Sequence, residues 1–204
     1  GGGVAGMSAA TVAASRGHQV TLFEASNEVG GQFNLAKVVP GKEEFHETIR
    51  YFKVQIEKTG VDLRLNTKVN REQLEREGFD EVVIATGVVP RALKIEGSEA
   101  PQVLSYAQVL RGAPVGRKVA VIGAGGIGFD VSEFLLKPEH QPQPQPLAAW
   151  QREWGVDPNP NYVTEGGMSA PEVHPPIREI YLLQRKTTAL GAGLGKTSGW
   201  VHRA

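Results

Sequence analysis

The sequence predicts an α/β chain built as two parallel-sheet units in tandem, and three observations carry that prediction. A glycine-rich turn that runs into a helix, with a strand to follow, occurs twice: Gly1–Gly6 opens the first and Gly123–Gly128 the second, their leading glycines 122 residues apart. The runs Glu81–Thr86 and Lys118–Ile122 are close to continuously apolar, the pattern of parallel strands covered on both faces. Strand-like and helix-like segments alternate along the chain, which is the order that builds parallel sheets through crossover helices.

Each element follows from local pattern. Met7–Arg16 is rich in Ala and favours helix, with Gly17 as its stop. Gln19–Glu24 reads as a strand. From Gly41 to Lys58 the apolar residues Phe45, Ile49, Phe52 and Ile56 keep helical spacing, and Gly60 ends the run. Val61–Leu65 alternates as a strand does, and a short charged helix around Arg71–Arg76 leads into the apolar strand ending at Gly87. The pattern restarts with strand Lys118–Ile122 and a helix continuing to about Lys137. Between 138 and 177 the composition shifts to Pro, Gln, Asn and Gly; Gln141–Pro146 cannot hold a regular ladder, Leu147–Trp154 forms a short helix, and the remainder is an inserted surface loop. Glu179–Gln184 resumes a strand that ends at Arg185 and Lys186. The division expected is a first unit over 1–112 and a second over 113–204 that carries the 138–177 insertion.

Composition bounds the function. The 204 residues balance 22 Lys+Arg against 22 Asp+Glu, so there is no overall basic field to hold a nucleic acid. With no Cys there is no disulfide framework, thiolate nucleophile or Cys-ligated cluster within these residues. No apolar run reaches the ~20 residues of a bilayer span, and the start lacks a basic-then-apolar signal, so a soluble cytoplasmic protein is expected. The histidines at 18, 46, 140, 174 and 202 have no metal-ligand spacing, and no Ser/His/Asp arrangement is visible. Trp150, Trp154 and Trp200 read as loop anchors.

The glycine spacing points to dinucleotides. Gly123, Gly125 and Gly128 follow a strand and open a helix: the first permits the tight turn, the second lets a pyrophosphate approach the backbone, and the third lets helix pack on strand. The N-terminus of that helix offers free N–H groups and its positive dipole end to the phosphates. Gly1, Gly3 and Gly6 have the same spacing, and Glu24 lies 23 residues after Gly1 at a strand end, where a carboxylate accepts hydrogen bonds from ribose hydroxyls. The second unit carries Arg185 and Lys186 at its corresponding strand end and no carboxylate, which favours NADP(H) over NAD(H), since a guanidinium pairs with a 2′-phosphate. The plainer alternatives are a turn that serves packing only and charged residues that merely face water. Gly195-Lys196-Thr197 lacks the upstream Gly of a phosphate-binding P-loop, Leu190 standing there instead, so an ATPase or GTPase is rejected; Lys196 either reaches a dinucleotide phosphate or is solvated.

An acid-tipped unit followed by a base-tipped one suggests a flavoprotein that takes hydride from NADPH onto FAD. Glu28–Asn34 (EVGGQFN) resembles the segment that follows the ribose-binding acid in FAD domains, and Ala85–Arg91 (ATGVVPR) resembles the motif closing the FAD half. Pro40–Phe45 (PGKEEF), Val121–Asp130 (VIGAGGIGFD) and Gly193–Arg203 (GLGKTSGWVHR) are similar to the C-terminal half of the bacterial 2,4-dienoyl-CoA reductase family, in the trimethylamine dehydrogenase branch of the old yellow enzyme group. The resemblance covers essentially all of the chain.

The resemblance implies tandem Rossmann-like FAD- and NAD(P)-binding domains, both incomplete. It puts Gly1, Gly3 and Gly6 on the FAD pyrophosphate, Glu24 on its ribose, and Gly31 and Gln32 towards the flavin. Val69, Ala85, Thr86 and Gly87 line the same cofactor, while Arg185 and Lys186 hold the NADPH 2′-phosphate. It implies a parent chain with an N-terminal barrel holding FMN and a Cys-ligated 4Fe-4S cluster, in which NADPH-derived electrons reach an enoyl substrate of fatty acid β-oxidation. The chain departs from that pattern by having no barrel, no cluster cysteines, no strand before Gly1 and no strands after Ala204, so it reads as an internal fragment without a catalytic acid or a metal site. Two alternatives stand beside this reading: a non-catalytic nucleotide-binding fragment, and the reductase half of an amine dehydrogenase or demethylase relative. A thioredoxin-reductase-like activity needs a CxxC pair that the sequence lacks.

Overall fold

Met7, completely buried on the first helix, marks the centre of the first of two compact units into which the chain divides, Gly1–Ala107 and Gln108–Ala204. The computed structural model describes residues 1–91, 95–137, 145–157, 167–172, 174–195 and 199.

In the first unit α1 (Val4–Ser15) leaves the Gly1–Gly3 turn and returns through Gly17 to β1 (Thr21–Phe23). A short helix α2 (Phe33–Ala36) and the longer α3 (Phe45–Thr59) follow, then β2 (Asp62–Arg64) and α4 (Arg71–Glu77). β1 and β2 pair in parallel with Leu22 opposite Leu63, and a further parallel bridge joins Gly3 to Gly30. Two adjacent parallel strands require a crossover, and α2 and α3 supply it. The α3 sequence explains its position: Ile49 and Ile56 are buried on the apolar stripe, Glu47 sits in the first turn, Lys58 in the last, and Gly60 closes the helix in the left-handed conformation at φ 71°. The helix begins at Phe45 rather than Gly41, because Gly41 itself has positive φ and the chain turns there. The core gathers Met7 and Ala10 of α1, Leu22, Val29, Ile56 and Val61. α2 is absent from the sequence reading; the ring of Phe33 at its start packs 4.4 Å from that of Phe45.

The apolar run Glu81–Thr86 departs from expectation. It forms no strand, and Val83 and Ile84 are 72% and 82% exposed. A buried parallel strand needs a hydrogen-bonded neighbour, and among the described residues the sheet of this unit contains only β1 and β2. The run instead passes alongside Gly1 without a ladder.

In the second unit α5 (Tyr106–Leu110), which spans the division, is followed by β3 (Lys118–Ile122), α6 (Gly126–Leu136), α7 (Leu147–Trp154) and β4 (Glu179–Leu183). β3 and β4 pair in parallel from Lys118 opposite Glu179 to Ile122 opposite Leu183. α6 packs on both strands, burying Gly128, Val131, Ser132 and Leu135. The expectation that Lys118–Ile122 is buried on both faces is corrected: burial alternates along β3 and β4, and Ile122 is 64% exposed. A two-stranded sheet with one helix against it has one covered face. α7 forms where its sequence predicts, its indoles Trp150 and Trp154 stacked 6.2 Å apart, and Glu153 takes an ion pair from Lys137 at 3.3 Å. Beyond it Val156 bridges Met168 in antiparallel fashion. No described helix is long and apolar enough to cross a membrane.

Candidate functional site: two glycine turns and a carboxylate

In the first unit the glycines of the turn are present for lack of room. A Cβ on Gly1 would lie 2.4 Å from the carbonyl oxygen of Ala85, and one on Gly6 would lie 1.8 Å from that of Gly1. No side chain fits at such distances. Gly3, the middle glycine, differs: the nearest atom to a Cβ there is the Cα of Gly31, at 4.0 Å, so this side of the turn is open. Gly3 caps α1 with no side chain, leaving the first-turn N–H groups of the helix unanswered by a cap.

Around this turn the structure collects most of the residues that the sequence nominates. Gly31, with φ 54°, would put a Cβ 3.0 Å from the Cα of Gly3, and the Gly2 carbonyl accepts a hydrogen bond from Gly30 N–H at 2.8 Å. Gln32 Nε2 donates to the Val88 carbonyl at 3.2 Å, tying the Gly30–Gln32 segment to the Ala85–Val88 stretch. Thr86 lies beside Gly1 through its Cα, and Gly87 turns the chain at φ 71°. Val69 is half-buried just before α4, two residues beyond Thr67, whose N–H bonds the Glu24 carbonyl at 2.9 Å.

Glu24 follows β1 directly and turns back on the glycine turn. Its Oε2 accepts the Gly2 N–H at 2.6 Å, and its Oε1 accepts both the Ser26 N–H and the Ser26 hydroxyl at 2.8 Å. Partial burial pushes this carboxyl up, but the bonds from Ser26 and Gly2 outweigh it and hold the group below its ordinary value, so it is ionised at neutral pH. Ser26 and the Gly2 amide escaped the sequence reading. A Ser two residues past a strand-end carboxylate is the available signal, since such a residue readily bonds its own local backbone and neighbours.

The second unit repeats the construction. Gly123 has φ 116°, its N–H donates to the Leu183 carbonyl at 2.8 Å, and a Cβ on Gly128 would lie 1.8 Å from the Gly123 carbonyl oxygen. Gly125 caps α6 in extended conformation, with no atom within 4 Å of where a Cβ would stand. Because β3 and β4 run parallel and in register, this turn and the Gln184–Lys186 segment leave the sheet at the same end. Arg185 and Lys186 are exposed there, and Gln184 Nε2 donates to the Lys186 carbonyl at 3.0 Å. Lys196 lies outside the described residues. No cluster of three or more His, Cys, Asp or Glu among the described residues could hold a metal.

The residues present fit the expected group in both units: open backbone at the middle glycine, closed space at the third, a first glycine required by crowding at Gly1 and by positive φ at Gly123, and in the first unit an ionised carboxylate at the strand end. The bilirubin reductase of Mediterraneibacter gnavus is 42% identical over 139 residues, covering 67% of this chain and 22% of the relative. The cinnamate reductase of Clostridium sporogenes is 40% identical over 136 residues, covering 66% and 20%. A solved structure of 2-naphthoyl-CoA reductase in complex with 2-naphthoyl-CoA superposes with a TM-score of 0.63 at 40% identity, over 66% of this chain and 20% of that one. The chain thus spans about one fifth of the length of these relatives. Residues 1–164 match the family described as pyridine nucleotide-disulphide oxidoreductase, and the chain belongs to that family, whose fold holds FAD and a nicotinamide dinucleotide.

Proposed function

We propose that this chain is the reductase portion of a flavin- and iron–sulfur-dependent oxidoreductase, with FAD in the first unit and NADP(H) in the second. The observation that carries the reading is the first turn: Gly1 and Gly6, where a side chain would strike backbone, Gly3 open between them, and the Glu24 carboxylate bonded to the Gly2 amide beside them. Gly1, Gly3 and Gly6 would hold the FAD pyrophosphate and Glu24 its ribose hydroxyls. Gly31 and Gln32 lie on the flavin side, and Val69, Ala85, Thr86 and Gly87 along the cofactor. Gly123, Gly125 and Gly128 would hold the second pyrophosphate and Arg185 with Lys186 the 2′-phosphate, with Lys196 a further phosphate ligand. Bound in these turns, the two cofactors supply hydride transfer from the reduced nicotinamide to the flavin. The protein's own groups position and neutralise: unpaired helix N–H groups face phosphate, one carboxylate accepts from ribose, and two cations face a 2′-phosphate.

For the parent enzyme the same reading places FMN, the iron–sulfur cluster and the substrate in a barrel outside this sequence, and gives it a cytoplasmic setting. Bilirubin, cinnamate and 2-naphthoyl-CoA, the substrates in the relatives' names, are all conjugated unsaturated compounds. They support reduction of an enoyl compound resembling a 2,4-dienoyl-CoA. The test is anaerobic mixing of the FAD-loaded protein with NADPH or NADH, followed by bleaching of the flavin absorbance. Bleaching is expected with NADPH, and Arg185→Ala should lower the NADPH-over-NADH preference by about 10–100-fold, the scale of one lost charged pair. Failure to take up FAD would refute the reading in favour of a fragment that binds no flavin. An unchanged NADPH/NADH ratio would remove Arg185 from the 2′-phosphate.

A further inference from the structure

Resting on the reading that the first unit holds FAD, we propose that Ser26 is a positioning residue for Glu24, holding its carboxylate ready for the adenosine ribose. Ser26 belongs to neither the glycine turn nor the core, and its side chain is exposed. It nevertheless gives two of the three hydrogen bonds that reach the Glu24 carboxylate, from its N–H and from its hydroxyl, both to Oε1 at 2.8 Å. The third comes from Gly2 to Oε2 at 2.6 Å. Without these partners a half-buried Glu side chain on the rim of a site samples several rotamers, and binding must then fix it.

The hydroxyl also has a second acceptor. Ser26 Oγ lies 2.7 Å from the Glu28 carbonyl oxygen, and one proton can serve only one of the two acceptors at a time. In the ligand-free arrangement it can close on Glu24. When a ribose hydroxyl donates to Oε1, the proton can turn to Glu28 and leave no polar group unanswered, while the Ser26 amide keeps its hold on the carboxylate. A carboxylate offers about four lone-pair sites, so Oε2 retains one for the second hydroxyl of a cis-diol beside the Gly2 amide. Ser26 thereby orders the carboxylate beforehand and yields its place at no loss of hydrogen bonds.

The experiment is titration of the protein with FAD, followed by flavin fluorescence, for the wild type, Ser26→Ala, Ser26→Thr, Glu24→Gln and the Ser26→Ala/Glu24→Gln pair, with FMN as a ligand lacking the adenosine. Ser26→Ala should weaken FAD about fivefold, the scale of fixing one freely rotating side chain on binding. Ser26→Thr should restore affinity, and Ser26→Ala should cost nothing more once Glu24 is Gln. FMN binding should not respond. If Glu24→Gln weakens FAD while Ser26→Ala does not, or costs the same in both backgrounds, the positioning role is overturned and the ribose reading stands. If Glu24→Gln leaves FAD affinity unchanged, the ribose reading falls and this inference with it.

Discussion

Gly128→Ala isolates the steric claim on which the second turn rests. A methyl group at position 128 would stand 1.8 Å from the Gly123 carbonyl oxygen and 3.0 Å from its carbon. The closest approach that Cβ atoms make is about 3.0 Å, so α6 and the turn must part by at least 1.2 Å. The atom in the way is backbone, and Gly123 is itself held by its N–H bond to Leu183, so the shift cannot be taken up by a side chain. Overpacking of this kind costs about 1–3 kcal/mol. The neighbouring Gly126, at the start of the same helix, has nothing within 4 Å of a Cβ, and Ala there should be neutral or gain up to about 0.5 kcal/mol from its helix preference. Urea unfolding followed by circular dichroism reads both, and NADPH titration reads the turn. Gly128→Ala is expected to lose stability and nucleotide affinity while Gly126→Ala keeps its stability. A Gly128→Ala protein within about 0.5 kcal/mol of wild type would refute the packing argument, because exposed substitutions that meet nothing fall in that range.

Two further outcomes follow from the first unit. Glu24 has its carboxyl held below the ordinary value of 4.5, so its hydrogen bonds contribute full stability above that value, and the contribution is lost as pH falls through the lower folded pKa. Acid titration of wild type should therefore show a loss of stability that Glu24→Gln lacks; identical acid limbs would show that the carboxylate is not held as described. Gly60 ends α3 in the left-handed conformation with open space around it, so Gly60→Ala should cost about 1 kcal/mol through backbone strain alone, read as a lowered melting temperature without change in FAD affinity. An unchanged melting temperature would show that the chain relaxes out of that conformation.

The spacing of the glycine turns was legible in the sequence because the cause at Gly6 and Gly128 is steric and local. Gly6 and Gly128 sit where a helix crosses back over the turn that launched it, and that geometry fixes the spacing whatever surrounds it. Glu24 was legible for a related reason: a strand of nearly fixed length after a helix of nearly fixed length returns its end to the turn. Ser26 was not legible, since Ser is common in loops and its significance lies in an Oε1 atom 2.8 Å away. α2 was missed because four residues are too few to establish a period, and what holds them is the contact between Phe33 and Phe45.

The run Glu81–Thr86 shows where sequence pattern and structure measure different things. Continuous apolarity reports side chains suited to cover on both faces; it does not report the hydrogen-bonded neighbour that makes a strand. In this structure Ala85 meets Gly1 by close backbone packing, at a distance that excludes any side chain on Gly1, yet no ladder forms along the run and Val83 and Ile84 stand in solvent. The Lys118–Ile122 run makes the complementary case. It has its partner, β4, and so becomes a strand in full register, but with only one face covered by α6 its burial alternates despite an apolar sequence. Pairing decides whether such a run is a strand, and covering decides whether it is buried. Those two conditions are separate, and each of these runs meets a different part of them. The contrast also explains why Gly6 and Gly128 meet the same crowding: each depends on the contact between its turn and the helix the turn launches, which both units possess, rather than on how far either sheet extends.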